Sequence, residues 1–488
     1  MHAAAVGHLF QRYGQRYKWY ATGTVVLGTT AMVLATTIVN VAIPDIMATF
    51  RMGQVHAQWL SSGFLVAMAA TMLMTSWCVD AFGQRRTYMG ALFLFIAASL
   101  MGGASATADL VILSRILQGA AAGVIQPLGM ITIFQVFPPD QRGRAMAIYG
   151  IGIVLAPALG PAIGGIMVNY VSWRAVFLVP LPLCLAGTLL APFFIVRRNG
   201  EGRWPSFDWS ALALLSLFML SFLTFFSQQH RPGWASEGIP ASLTVAIISV
   251  CAFLWWELRS SRPLLDMRIF SRKRFAAASL VALTYGMGLY GSTYLIPLFV
   301  QTVAGYTPTD SGLLLIPAGV VLGCAIFMGG LLTDRYSASL VVMVGLTCFA
   351  LSFLLMAGAT DTTPFWTLAG WISIGRIGIG LMLSSLYAGA IQTLEVEFLN
   401  QGAGAISFIR QLGAAFGVNL LSIFLEWRTL GYSGLITTSQ AAGNQKLWVN
   451  MFSLQARLHA FQDGFKIVAL VSVIALLPAW YMRPKRSN

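Results

Sequence analysis

Long apolar stretches recur along the chain, and short segments between them hold most of the polar and charged positions. Within a stretch the apolar residues are continuous rather than alternating with polar ones, which favours helices over the strands of a membrane barrel. Each stretch is long enough for a helix that crosses a bilayer. The pattern predicts fourteen such helices, at residues 20–44, 57–79, 87–104, 110–136, 145–168, 174–196, 209–227, 241–258, 275–303, 311–332, 339–358, 365–394, 403–425 and 464–482.

Composition strengthens the assignment to a membrane. Hydrophobic residues make up 57% of the chain and charged residues only 9%, whereas soluble domains carry about 25% charged residues. In lipid, only helices and closed barrels satisfy the backbone hydrogen bonds. We therefore predict an all-α integral membrane protein. Residues 1–19 are basic and lack the apolar core and cleavage site of a signal peptide, so we expect the first helix to be retained.

The net charge of +14 is distributed unevenly. When the fourteen helices are threaded through a membrane, most of the 30 basic residues fall in loops on the side of the N-terminus. Basic loops resist translocation, so both termini are predicted to be cytoplasmic and the protein to be a multi-pass protein of the inner membrane. No compact basic domain indicates a nucleic-acid partner. The scattered cysteines and histidines predict no disulfide framework, metal site or cofactor.

An internal repeat organises the chain, because three features recur about 250–260 residues apart. They are Asp80 with Asp334, Gly160 and Gly164 with Gly413 and Gly417, and Arg115 with Arg376. Duplicated helical halves around a cavity at the membrane midplane are typical of secondary transporters. The predicted segments are a tail at 1–19, a six-helix half at 20–196, a linker with two extra helices at 197–274, a second six-helix half at 275–482 and a tail at 483–488.

The glycine-rich stretch at residues 150–165 lies in the fifth predicted helix. Its small residues recur at every fourth position and give the helix a smooth face, which another helix can approach at backbone distance. Two prolines each remove a helical hydrogen bond and are expected to kink the helix. We predict a packing face and hinge formed by Gly152, Pro157, Gly160, Pro161, Gly164 and Gly165.

A carboxylate followed by arginine closes the second predicted helix and again the tenth. Such a carboxylate can accept from the N-terminal N–H groups of the next helix and can pair with a guanidinium. The alternative is ordinary positive-inside loop charge, which the repetition disfavours. We predict an inner gate formed by Asp80, Gly83, Arg85, Arg86, Asp334 and Arg335.

Three arginines lie inside predicted helices: Arg115, Arg376 and Arg410. A charge at the bilayer centre costs at least about 2.5–3.5 kcal/mol, so each needs a wet cavity, carbonyl groups or a partner. Snorkelling is the alternative for Arg115, and an anchor at the inner interface is equally favoured for Arg410. By contrast, no carboxylate lies at the middle of a predicted helix. Asp45 and Asp310, at outer helix ends, are left as the candidate titrating groups.

Sparse polar and aromatic side chains predict the character of the transport cavity. A mostly apolar, aromatic cavity with few hydrogen-bonding groups suits an amphiphilic ligand rather than a sugar or an ion. Taken singly, each of these residues is more often a helix–helix hydrogen-bonding group. The predicted cavity residues are Thr36, Asn40, Gln126, Tyr285, Tyr290, Tyr294 and Tyr387.

Several motifs resemble those of the major facilitator superfamily, and within it the fourteen-span drug:proton antiporters of the EmrB/QacA type. The loop from Asp80 to Arg86 resembles the signature between spans two and three. The stretch at 150–165 resembles the antiporter signature of span five, and TIVNVAIP at 37–44 resembles the end of the first-span signature. The fourth-span signature is matched by Arg115, Gln118, Gly119 and Gly123.

The resemblance implies a transport and coupling role for Arg115, Gln118 and Arg376. The sequence also departs from the first-span signature of the family, because Ala35 occupies the position where similar antiporters carry an acidic residue that is linked to proton handling. We therefore expect coupling that is weaker or differently placed.

The function that the sequence favours is export of small amphiphilic or hydrophobic compounds by alternating access, linked to protons. The alternatives are a metabolite or siderophore exporter or facilitator with atypical or no proton coupling, and a membrane sensor that transports nothing. The chain has no HExxH or GxSxG motif, which disfavours an enzyme. The expected partners are the substrate and the lipid bilayer. The long external segment at about 426–463 is expected to cap the cavity or, as the resemblance to similar exporters implies, to contact a periplasmic adaptor, and a linker helix that lies on the membrane surface is an equally favoured alternative.

Overall fold

The computed structural model describes residues 2–57, 59–197, 207–228, 241–260, 263–392, 394–395, 398–437 and 445–483. These residues form α-helices joined by short turns and 3₁₀ segments, with no strand in the ranges just given. Eleven helices of the described chain are long and apolar enough to cross a membrane. The all-helical membrane architecture is therefore found. The predicted spans at 145–168, 209–227 and 275–303 are not among the eleven, so fourteen crossings stay a prediction.

The chain divides into two compact units. The first unit comprises Met1–Arg272 and Leu394–Phe408, and the second comprises Lys273–Thr393 and Ile409–Asn488. The two helices of the predicted linker belong to the first unit, as does the beginning of the helix that starts at Leu399. The five-segment division expected from the internal repeat stays a prediction.

The helices of the first unit follow the predicted apolar stretches. A buried hydrophobic cluster in this unit includes Ile38, Ile46, Trp173 and Phe177. The helices are α1 His2–Tyr13, α2 Tyr17–Ile38, α3 Ile43–Phe50, α4 Gln54–Ala57, α5 Trp59–Phe82, α6 Gln84–Gly103, α7 Ala108–Val136, α8 Arg142–Tyr170, α9 Leu181–Phe194, α10 Trp209–Gln228, α11 Ala241–Arg259 and α12 Arg268–Ser271. The main helix contacts within this unit are between α5 and α7, α2 and α8, and α6 and α7, while α10 packs on α5 and α11.

In the second unit, α16 packs against α13, α14 and α15, and α15 also contacts α18. The segment expected to be an external loop at about 426–463 is largely helical, because α17 continues to Thr437 and α18 begins at Gln445. The helices are α13 Lys273–Thr302, α14 Pro308–Arg335, α15 Ala338–Met356, α16 Phe365–Ile391, α17 Leu399–Thr437, α18 Gln445–Ile474 and α19 Leu476–Tyr481.

Candidate functional site

Arg115 on α7 is buried in the first unit, with 1% of its surface exposed. Its Nε donates to the carbonyl oxygen of Leu60 on α5 at 2.9 Å, and its Nη1 donates to the carbonyl oxygen of Ala35 on α2 at 3.1 Å. Nη1 also donates to Gln118 Oε1 at 2.9 Å. The guanidinium carbon lies 4.2 Å from the centre of the Phe64 ring. The guanidinium therefore joins α2, α5 and α7 inside the unit.

Gln118 extends this network to a fourth helix, since its Nε2 donates to Ser99 Oγ on α6 at 2.8 Å. Among the described residues, the recorded partners of Arg115 are carbonyl groups, an amide and an aromatic ring, and none is a carboxylate. These dipoles and the ring face stabilise the buried cation. Residue 35, where the resemblance leads one to expect an acid, contributes its backbone carbonyl instead.

The polar residues predicted for the cavity in the first unit have separate hydrogen-bond partners. Thr36 Oγ1 donates to the Val33 carbonyl at 2.6 Å, within its own helix. Asn40 is exposed, and its Oδ1 accepts from Ser61 Oγ of α5 at 2.9 Å. Gln126 on α7 is buried with 4% exposed, and its backbone carbonyl accepts from the Tyr149 hydroxyl. The structure thus places these three residues at separate positions in the first unit, and their part in a cavity stays a prediction.

The glycine face of α8 lies against α2. A Cβ atom at Gly152 would come 2.5 Å from Thr30 Oγ1, and one at Gly164 would come 2.8 Å from the Ile38 carbonyl oxygen. At Gly160 it would overlap the Thr37 hydroxyl. Gly165, in contrast, has open space around the position of a Cβ atom. The two helices therefore approach closely at three of the predicted positions, and at Gly160 and Gly164 they approach at backbone distance.

The prolines of this stretch are described only in part. The backbone of α8 is helical from Arg142 to Tyr170, whereas the side chains of Pro157 and Pro161 lie outside the described residues. The hinge stays a prediction.

Gly83 joins α5 to α6 in the predicted inner gate. Its φ of +81° lies in the region that favours glycine, and it forms the N-cap of α6. Asp80, near the end of α5, and Arg86 are exposed. Arg85 donates from Nε to the carbonyl oxygen of Ile195, just after α9, at 2.8 Å. In the described chain, the hydrogen bond recorded for Arg85 is therefore with the carbonyl oxygen of Ile195 after α9, and not with Asp80.

The second copy of the gate motif lies at the end of α14. Asp334 is half-buried and Arg335 is exposed, and α14 ends with Arg335. Structural roles in gating stay predictions for both copies.

The two acids predicted as candidates for proton coupling, Asp45 and Asp310, lie at helix starts. Asp45 is exposed in the first turn of α3. Asp310 is exposed in the first turn of α14, where its Oδ2 accepts from Thr307 Oγ1 at 2.7 Å and its backbone N–H donates to the same oxygen at 3.1 Å. Asp310 therefore takes part in a reciprocal cap of the α14 N-terminus.

The second unit brings three predicted tyrosines together with two arginines. Arg410, with 1% exposed, hydrogen-bonds the hydroxyls of Tyr290 and Tyr387. Tyr285 lies within electrostatic reach of both Arg410 and Arg376. We call these five residues, from α13, α16 and α17, the arginine–tyrosine cluster. Tyr294, also predicted for the cavity, instead donates to Ser422 Oγ on α17 at 3.2 Å.

Arg410 is the residue whose role the sequence left open between a site and an interface anchor. Its burial and its tyrosine partners place it inside the second unit. A signal was present in the sequence, because Arg410 and Gln411 immediately precede the repeated glycines Gly413 and Gly417. Those glycines pack α17 on α13: a Cβ atom at Gly417 would come 2.6 Å from the Met287 Cα, and one at Gly413 would overlap the Leu283 carbonyl oxygen.

A small apolar cavity of about 30 Å³ also lies in the second unit. It is lined by residues of α13, α17 and α18, among them Thr284, Gly417 and Ser472. None of the seven predicted cavity residues lines it. In the described part of the chain, no group of His, Cys, Asp and Glu side chains has the arrangement of a metal site.

Sequence comparison identifies the relatives of this chain. The family model described as Major Facilitator Superfamily matches residues 25–418. The chain is 29% identical to "Multidrug resistance protein B homolog" of Mycobacterium tuberculosis (strain ATCC 25618 / H37Rv), a match that covers 96% of this chain and 90% of that protein. It is 28% identical to "Multidrug resistance protein 3" of Bacillus subtilis (strain 168), over 87% of this chain and 83% of that protein.

A solved structure shows the same fold. The proton:xylose symporter XylE, bound to 6-bromo-6-deoxy-D-glucose, aligns with a TM-score of 0.64 over 96% of each chain. The sequence identity is 14%, so this likeness concerns the fold alone. The family predicted from the sequence motifs is confirmed, and the chain is a membrane transporter rather than an enzyme.

Proposed function

We propose, from the premise that this chain belongs to the Major Facilitator Superfamily, that it exports small amphiphilic or hydrophobic compounds by alternating access. The observation that carries the proposal is the match, over nearly the full length of both chains, to a protein named for multidrug resistance. The backbone-distance contacts of α8 with α2 and of α17 with α13 support it, since smooth glycine faces let helices shift against each other.

The proposal extends to the arrangement in the cell. Fourteen membrane crossings, an inner-membrane location and cytoplasmic termini follow from the apolar stretches and from the basic loops on the side of the N-terminus. A periplasmic adaptor belongs to the proposal as the partner of the helical extension formed by the end of α17 and the beginning of α18.

Proton linkage is the part of the proposal that the local chemistry constrains most. A coupling group must change its proton affinity between two states, and a buried carboxylate does this best. The recorded partners of Arg115 include no carboxylate in the described chain, and Asp45 and Asp310 are exposed. At these three positions the observation favours the second candidate, an exporter or facilitator with atypical or no proton coupling. The buried carboxylates of the described chain, Glu257 and Asp266, lie elsewhere, at the end of α11 and before α12.

Complementation tests export directly. The chain would be expressed in a bacterial strain that lacks its own efflux pumps, and growth would be measured against a panel of hydrophobic compounds of different charge. We expect resistance to at least one class of compound, with lower intracellular accumulation of the same compound. Unchanged growth and accumulation for the entire panel, with the protein present in the membrane, would contradict export.

The inner gate gives the first mutational prediction. Asp80→Asn removes the negative charge at the junction of α5 and α6 while keeping the side-chain shape, so the charge pairing that we propose for the gate is lost. We expect export to fall at least about tenfold, as a loss of about 1.4 kcal/mol would produce, with normal membrane insertion. Asp361→Asn, at an exposed turn, is the matched control and should export normally. Full export by Asp80→Asn would remove the gate.

A second prediction concerns coupling. Ala35→Asp places a carboxylate on the residue whose carbonyl already accepts from Arg115. Export by this variant should acquire a stronger pH dependence than the native protein shows, up to about tenfold per pH unit where the new group titrates. Inside-out vesicles with an imposed pH gradient provide the measurement, and Ala35→Asn is the control that cannot titrate. Strong gradient-driven export by the native protein that survives both Asp45→Asn and Asp310→Asn would refute this account.

A further inference from the structure

The arginine–tyrosine cluster lies well inside the helices that form it. Arg376 is in the middle of α16, Arg410 is eleven residues into α17, and Tyr285 is near the middle of α13. Arg376 is 9% exposed and Tyr285 is 1% exposed. The cluster therefore sits in a low-dielectric interior, where a fixed charge is costly and any interaction with an opposite charge is strong.

Positive charge exceeds negative charge around the cluster. The helices α13, α16 and α17 together contain one acidic residue, Glu426. Glu426 lies about 24 Å from Arg410 along the axis of α17. In the described chain, the recorded contacts of Arg376 are with hydroxyl groups: Nη1 donates to Ser292 Oγ at 3.4 Å, and Tyr285 lies within electrostatic reach. Neutral hydroxyls do not balance a guanidinium, so the site has a net positive charge.

Two buried hydroxyl groups on the helices of the cluster, α13 and α16, lack hydrogen-bond partners among the described residues. They are the phenol of Tyr285 and the hydroxyl of Ser384, which is fully buried and one turn before Tyr387 on α16. A buried hydroxyl without a partner costs about 1–3 kcal/mol, and this cost is removed when an acceptor arrives. Each hydroxyl can donate one hydrogen bond to an oxygen of an incoming group.

The remaining surface of the cluster restricts the ligand further. Tyr285, Tyr290 and Tyr387 put three aromatic rings beside the charged groups, and those of Tyr285 and Tyr387 are buried. A small inorganic anion would make no use of these rings, whereas an aromatic ring attached to the anionic group would pack on them. The guanidinium fork also matches the two oxygens of a carboxylate.

We propose that the arginine–tyrosine cluster binds the carboxylate of an amphiphilic aromatic anion. The two guanidinium groups neutralise the carboxylate, and the hydroxyls of Tyr285 and Ser384 donate to its oxygens. This inference rests on the proposed export function and narrows its substrate class from amphiphiles in general to organic anions.

Three probes that share one ring system test the charge preference. They are 1-naphthoate, 1-naphthalenemethanol and 1-naphthylmethylammonium, which carry a negative, a neutral and a positive group. Binding to the purified full chain would be measured by calorimetry, and export would be measured in proteoliposomes. We expect naphthoate to bind at least about tenfold more tightly than the ammonium probe, a difference of about 1.4 kcal/mol.

Conservative variants assign the preference to the cluster. Tyr285→Phe and Ser384→Ala each remove one hydroxyl with little change of volume, and each should weaken naphthoate binding several-fold to tenfold, as for a hydrogen bond to a charged group. Arg376→Gln and Arg410→Gln should abolish the preference for the anion. Binding of the neutral alcohol should change less than binding of naphthoate in each variant, and the melting temperature of each variant reports whether the fold is intact. Tyr336→Phe and Arg457→Gln, both at exposed positions, are the matched controls.

The outcomes separate this inference from the proposed function. Export of the ammonium or neutral probe with no preference for naphthoate would overturn the anion site and leave export standing. Equal naphthoate affinity in the native protein and in Tyr285→Phe and Ser384→Ala would also overturn it. Failure to export any of the three probes, or any compound of the wider panel, would count against the proposed function itself.

Discussion

Leucine at Gly164 is expected to abolish transport. The glycine faces α2 so closely that even a Cβ atom would lie 2.8 Å from the carbonyl oxygen of Ile38 and 3.1 Å from its Cγ1. The nearest atom is backbone and cannot rotate away, so α8 must move from α2 or stay strained. Overpacking of this kind typically costs about 1–3 kcal/mol. The altered helix contact should block export or make the membrane leaky, which export and proton-leak assays in proteoliposomes would measure.

The neighbouring glycine provides the matched control. A Cβ atom at Gly165 meets nothing within 4 Å, so Gly165→Leu adds the same side chain to the same helix without the clash. We expect Gly165→Leu to export normally and to melt at the native temperature, whereas Gly164→Leu melts lower. Equal activity of the two variants would show that the contact between α8 and α2 does not matter for transport.

The apolar stretches were sufficient to predict the all-helical membrane fold, because the cost of burying backbone in lipid leaves few alternatives. The apolar stretches were less informative where a helix continues beyond its apolar residues into a polar segment. The segment at 426–463 is rich in polar residues, yet α17 continues to Thr437 and Arg428 on α17 pairs with Asp463 on α18. That pairing between side chains 35 residues apart stabilises a helical extension that hydropathy alone does not indicate.

Individual site residues differed in how far the sequence could predict them. Arg115 stood out because a cation in an apolar stretch needs partners, but those partners include the carbonyls of Ala35 and Leu60, which any residue type would offer. The carbonyl of Ile195 that Arg85 contacts is hidden from sequence for the same reason. Asp310 was predictable as a cap, since Thr307 three residues earlier completes a capping pattern.

Replacing Arg115 should have the second large effect. Its guanidinium makes three hydrogen bonds, to groups on α2, α5 and α7, and it lies over the Phe64 ring. A lysine keeps the charge but has no planar fork, so it cannot reach these acceptors from the same directions. Hydrogen bonds to charged groups contribute roughly 1.5–3 kcal/mol each. Arg115→Lys should therefore lower the melting temperature in detergent and reduce export at least about a hundredfold, the effect of losing about 2.8 kcal/mol.

The hydrogen-bond network makes this prediction specific to the guanidinium rather than to the charge. Gln118→Leu breaks one bond to Arg115 and the bond to Ser99 but leaves both carbonyl contacts, so it should impair export less than Arg115→Lys does. Arg16→Lys, at an exposed position before α2, makes the same chemical change as a control and should behave as the native protein. If Arg115→Lys exports normally, a buried positive charge alone is sufficient, and the joining of α2, α5 and α7 through the guanidinium is not part of the transport cycle.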